Sequence, residues 1–212
     1  EINIYTASDL EDIEIPNPNH FADISVLGGG VLSSLSSNIL GNSDFYTGAF
    51  PAEFGNAVSG VFDMKMRNGN NMKHEHTFQA GILGLDFASE GPLSKKHNSS
   101  YIFNYRYSTT ALLDKLGGKV EEGSTIKYQD LNFKLNFPTA KAGIFSIWGT
   151  ALIDNYKQKP EKDIEKWENM DDRQTSKSNQ KMVAGGVNHR YFFNNDTQWK
   201  NTIAITYSKA NS

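Results

Sequence analysis

From about residue 74 the chain alternates apolar and polar positions. Tyr101, Phe103, Tyr105 and Tyr107 are interleaved with Ile102, Asn104, Arg106 and Ser108. Leu131, Phe133, Leu135 and Phe137 are interleaved with Asn132, Lys134 and Asn136. Phe145, Ile147, Gly149, Ala151 and Ile153 alternate with Ser146, Trp148, Thr150 and Leu152, and Ile203, Ile205 and Tyr207 with Thr202, Ala204 and Thr206. A period of two is that of a strand, whose successive side chains point to opposite faces. The pattern predicts strands beginning near His74, Ser99, Ser124, Gly143, Ser178 and Gln198. Connections around residues 90–97, 138–142 and 193–197 are short; those over 112–123 and 155–177 are long and charged. A soluble sandwich also alternates, but it has no reason to sort its loops by parity. A membrane-embedded barrel does, with short turns on one side and long loops on the other.

Before residue 74 the pattern is loop-rich. Residues 2–5 and 10–15 read as short strands joined by a turn at Ser8 and Asp9. Pro16 and Pro18 then fix an extended loop. Asn19, His20 and Phe21, which follow, admit two readings: a surface that meets a ligand or a neighbouring wall, or a plain turn with Phe21 tucked into a local core. Gly28, Gly29 and Gly30 do not make a phosphate cradle, because no Lys-Ser/Thr pair follows. They read as a loop before a short helix over residues 31–38, with Leu32, Leu35 and Ile39 near one face. Residues 43–47 read as a strand, and so do 58–67. In the latter Val61, Asp63, Lys65 and Arg67 face one way and Phe62, Met64 and Met66 the other.

The chain has 212 residues, a formal net charge of −3 and no cysteine. The near-neutral charge excludes the basic footprint of a nucleic-acid binder. Lack of cysteine removes disulfides and thiolate metal sites without fixing the compartment. No apolar run reaches the roughly 18 residues a membrane helix needs, which leaves barrel strands untouched.

Candidate chemistry is sparse. His74 and His76 share a strand face but lack a third ligand in sequence, so no metal is expected. No Gly-x-Ser-x-Gly elbow is present, and the carboxylates of residues 161–172 sit among lysines as a solvated loop would. Trp167 in that loop suits either stacking on a ligand ring or anchoring the loop. No catalytic residue, metal or cofactor is therefore expected, and the chain does not read as an enzyme.

One stretch organises the rest. Gly48, Pro51, Phe54, Gly55 and Gly60 precede an apolar strand that ends at Arg67 and Gly69. With Glu53 between them, these positions resemble the end of the plug domain of TonB-dependent outer-membrane receptors. Thr6 to Asp9 and Leu10 to Ile13 stand where that family usually carries Arg-Gly and Asp-Gly pairs, which suggests a divergent subgroup. The resemblance implies a mainly β fold: a partial plug over residues 1–70, then the first antiparallel up-and-down strands of a transmembrane β-barrel over 71–212. With no signal peptide or initiator Met and with strand-like segments at both ends, the sequence is expected to be an internal piece of a larger secreted precursor. The resemblance implies two raw sheet edges, since the family closes at about twenty-two strands. It further implies the outer membrane of a Gram-negative bacterium and active uptake of a nutrient such as a glycan, siderophore or peptide. The implied partners are outer-membrane lipid, the TonB complex acting through a region outside this chain, and a surface lipoprotein. Two other classes stay open: a soluble carbohydrate-binding or adhesion β-domain, and a surface hydrolase with paired carboxylates or a metal.

Overall fold

A computed structural model describes residues 6–21, 32–48, 50–52, 54–55, 57, 60–81, 84–115, 123–160, 163, 167, 173 and 175–211. The N-terminal part forms a small mixed sheet. Strands β1 (Thr6–Leu10) and β4 (Gly60–Met64) pair in parallel at its centre. Strand β2 (Ile13–Glu14) runs antiparallel to β1, and β3 (Asp44–Tyr46) antiparallel to β4. Glu11 and Asp12 link β1 to β2 with φ of 54° and 68°, the left-handed geometry a two-residue hairpin demands.

Ser8 and Asp9 are not a turn: they lie in β1, where parallel pairing with Phe62 and Asp63 uses their backbone groups. Residues 2–5 lie outside the described residues. The helix expected over 31–38 is absent from its described part, residues 32–38, which bend and turn instead. The serine hydroxyls explain it, since Ser33 Oγ accepts from Leu35 N at 3.1 Å and Ser36 Oγ from Asn38 N at 3.2 Å. Such local bonds compete with helical ones. The glycine triplet at 28–30 is likewise outside the described residues. The strands expected over 43–47 and 58–67 are present as β3 and β4; β3 is one residue shorter at each end, β4 stops at Met64, and residues 58–59 lie outside the described residues.

The remainder is one antiparallel meander of seven strands. They are β5 (Glu75–Gly81), β6 (Gly84–Ser94), β7 (Ser99–Thr109), β8 (Ser124–Pro138), β9 (Ile144–Gln158), β10 (Ser176–Phe192) and β11 (Gln198–Asn211), with helix α1 (Thr110–Lys115) between β7 and β8. The single strand expected from His74 is two, and residues 90–94 belong to β6 rather than to a connection. Pro92 hid this strand, because proline rarely enters a sheet interior; the register shifts between Pro92 and Ser94, a bulge that tolerates its missing N–H. Connections 95–98, 139–143 and 193–197 are short and share one end of the sheet. Connections 110–123 and 159–175 are long and share the other end, where Gly81 of β5 also pairs with Gly84 of β6. The sheet does not close, so β5 and β11 each leave one edge unpaired among the described residues.

The covered face of this sheet is rich in polar side chains, and the middle of its open face is largely apolar. On β8, Tyr128, Asp130, Asn132, Lys134 and Asn136 are buried, while Leu131 and the apolar positions after it are partly exposed. The small sheet covers the polar side. A modest apolar core sits between the layers, where Leu10, Ile39, Met64 and Met66 meet Ile102, Trp148, Leu152 and Met182. Phe62, in the same row as Met64 and Met66, stays partly exposed against Phe45, and Val61 on the opposite row is fully buried. The other side of the large sheet is open. Ile203 and Ile205 keep 79% and 75% of their surface, and Phe78, Val183, Val187 and Trp199 are exposed with them.

Candidate functional site

The polar seam between the two sheets carries the chemistry. His20 leaves the small-sheet layer on the proline-fixed loop, where Asn19 bridges to Ser33 and His20 N donates to Leu32 O at 2.8 Å. Its ring then reaches two strands at once. Nε2 lies 3.0 Å from Asp130 Oδ2 on β8 and Nδ1 3.2 Å from Asp154 Oδ2 on β9, with all three side chains fully buried. Asp154 Oδ2 also accepts from Phe21 N at 3.0 Å. Arg106 on β7 donates Nε to Asp130 at 2.9 Å and Nη2 to Ser33 O. Two carboxylates, an imidazole with both nitrogens on carboxylates, and a guanidinium form a neutral cluster if the ring is protonated. Burial opposes charge on His20, but the bonds to Asp130 and Asp154 outweigh it and raise its pKa above the ordinary value.

A second knot lies nearer the short-turn end. Lys134 Nζ donates to Glu11 Oε1 at 2.8 Å and to Met66 O at 2.7 Å. The same Glu11 oxygen accepts from Met66 N at 2.8 Å, and Oε2 accepts from Asn188 Nδ2 at 3.0 Å. Glu11 thus ties the β1–β2 turn to the segment after β4, to β8 and to β10. An open cleft of about 830 Å³ adjoins it, lined by Lys65, Arg67, Arg190 and Lys200 among others. Lys65 is held by Asp12 at 2.5 Å and Asp63 at 2.7 Å, and Asp12 also pairs with Lys200.

The signature positions have distinct local roles. Arg67 grips Glu90 of β6 through Nη1 at 2.8 Å and Nη2 at 2.6 Å, and donates Nε to Asn38 O at 2.9 Å. Gly69 permits close passage, because a Cβ there would lie 1.9 Å from Tyr101 O. Gly48 adopts φ +99°, a conformation side chains rarely take. Gly60 packs against the Phe45 ring, Gly55 faces open space, and Phe54 stacks near Tyr46 at 5.6 Å. Phe54 N donates to Pro51 O at 3.0 Å, closing a turn. Glu53 lies outside the described residues.

Phe21 packs edge-on against Tyr128 of β8 at 5.8 Å, in a small cluster with Tyr156 of β9. The local core in which it is tucked is therefore shared with the large sheet. Trp167 lies under the Arg173 guanidinium at 5.3 Å, so one face of its ring is already stacked. His74 and His76 stack at 6.5 Å, bonded to Tyr101 and Ser89 respectively. No three His, Asp or Glu side chains are placed to hold a metal ion together among the described residues.

Sequence reasoning missed Asp130, Asp154, Arg106, Glu11 and Lys134 as a seam. The available signal was their parity: charged residues and amides occupy the positions alternate to the aromatics on adjacent strands. Comparison with family models, characterised proteins and solved structures finds no match for this chain.

Proposed function

We propose that the chain is a segment of a TonB-dependent outer-membrane receptor: the later part of the plug, then the first strands of the barrel wall. One observation carries this reading. The large sheet exposes its apolar face and buries its polar face under the small sheet, as a wall between lipid and a plugged lumen requires. Dimensions agree. On β11 the open-face residues run from Trp199 to Tyr207, about 27 Å along a strand at about 3.4 Å per residue. A tilt of about 40° reduces that to about 21 Å of membrane depth, near the roughly 25 Å apolar band of such barrels. Aromatic residues end the row on both sides, where girdles belong. The two unpaired edges fit a wall that continues with further strands, since an open edge cannot face lipid.

In this reading the full-length protein takes up a nutrient at the cell surface, with the ligand held between the plug and the long loops. TonB acts on the plug from the periplasm, the side of the short turns. The seam around His20 and Glu11 would then hold the plug against the wall until it is pulled. The competing reading as a soluble carbohydrate-binding or adhesion domain needs a cover for the open face. The experiment is fractionation of the full-length protein. It is expected in the outer-membrane fraction and to need detergent for extraction; recovery in the soluble fraction without detergent would overturn the proposal.

A further inference from the structure

Charge is divided unevenly along the chain. All 21 lysines and arginines follow residue 64, whereas nine of the 24 carboxylates precede it. The strands of the small sheet therefore hold acids and no lysine or arginine, an asymmetry that points to a basic partner. Register gathers four of these acids into one line. Glu14 of β2 stands opposite Asp9 of β1, Asp9 opposite Asp63 of β4, and Asp63 opposite Asp44 of β3. Each strand thus contributes one carboxylate to a shared face, with neighbours about 5 Å apart at Cβ, where like charges repel.

Lys65 relieves part of the row, held by Asp63 at 2.7 Å and by Asp12 of the adjoining turn at 2.5 Å. Asp9 has no such relief. It keeps only 8% of its surface, and no hydrogen bond or ion pair reaches its carboxylate among the described residues. Burial, then Glu14 and Asp63, push its pKa above the ordinary value. Asp9 lines a pocket of about 120 Å³ with Asp12, Glu14 and Phe54. We propose that this pocket receives a lysine or arginine side chain from a basic protein segment, whose further cations lie along the carboxylate row. Carboxylates beside an aromatic ring are the surroundings in which such a side chain is held. No three acids are placed to hold a metal ion together among the described residues, and a line of carboxylates matches a string of cations. Asp12 also pairs with Lys200 of β11, which puts the pocket at the short-turn end of the large sheet. The uptake reading makes that end periplasmic and the partner a periplasmic protein; the charge argument stands without it.

The test uses the full-length protein in mild detergent and two fluorescent peptides of equal length, one alternating arginine with glycine and one alternating serine with glycine. Binding is read by anisotropy. The arginine peptide is expected to bind at least about tenfold more tightly, with the difference shrinking as salt rises. Asp9→Asn should bring the two peptides to within about twofold of each other, while Asp196→Asn removes the same charge from an exposed turn and should keep the preference. Because Asp9→Asn relieves the repulsive row, residues 6–67 of that variant should resist protease in urea at least as well as in the wild type, which separates lost binding from lost folding. An equal effect of both substitutions would reduce the preference to net charge and overturn the pocket. No preference in the wild type would overturn it as well, including the case in which another part of the full-length chain already fills the site. Lower protease resistance in Asp9→Asn would show the row to be stabilised from within, and would also overturn the proposal. Recovery of the full-length protein without detergent would contradict the uptake reading alone and leave the binding result standing.

Discussion

At the scale of single residues, His20 joins what sequence kept far apart. It touches Asp130 and Asp154, 110 and 134 positions away, through one ring. Its burial is offset because both nitrogens lie on carboxylates, and removing it takes the charged partner from buried Asp154 and leaves Asp130 with Arg106 alone. Replacing His20 by Ala should therefore weaken the docking of the small sheet by about 3–5 kcal/mol, the cost of breaking a buried pair. Protease susceptibility of residues 6–67 in the full-length protein, followed against urea, measures this. The pH dependence has a definite sign. The folded pKa lies above the unfolded value of about 6.5, so the contribution is complete below that pH and fades as pH rises through the folded pKa. A wild-type advantage that stays constant from acid to alkaline pH would count against a charged ring. His20 and Phe21 were visible in the sequence as contact candidates, but their partners were not. Nothing in a linear pattern couples a loop histidine to single aspartates in two strands.

At the scale of elements, the long strands were legible because a period of two repeats for many residues and a buried face enforces it. Elements governed by local competition were not. Serines 33 and 36 turned an expected helix into a bonded loop, and a bulge let Pro92 sit inside a sheet. Strand β10 offers the clearest element-level test. Val187 is in the apolar row of its open face and 44% exposed. If that face meets hydrocarbon, Val187→Lys should destabilise the inserted protein by about 2–4 kcal/mol. In a soluble domain the same change at an exposed position would be harmless or improve solubility. Urea titration of the protein in lipid vesicles distinguishes the two, and an unchanged midpoint would favour the soluble domain.

At the scale of the whole molecule, the account depends on which solvent each face of the large sheet sees. The small sheet, the His20 cluster and the Glu11–Lys134 knot all lie on one side, and the exposed apolar rows on the other. The chain brings no cysteine of its own, so spin labels can be placed singly along β8. The decisive measurement is the accessibility of labels at residues 131, 132, 133, 134 and 135 to oxygen and to a water-soluble nickel chelate, in the full-length protein reconstituted in bilayers. Labels at 131, 133 and 135 should collide with oxygen and be shielded from nickel, while those at 132 and 134 should be shielded from both. Nickel access at 131, 133 and 135 equal to that of a surface loop would contradict the lipid-facing wall.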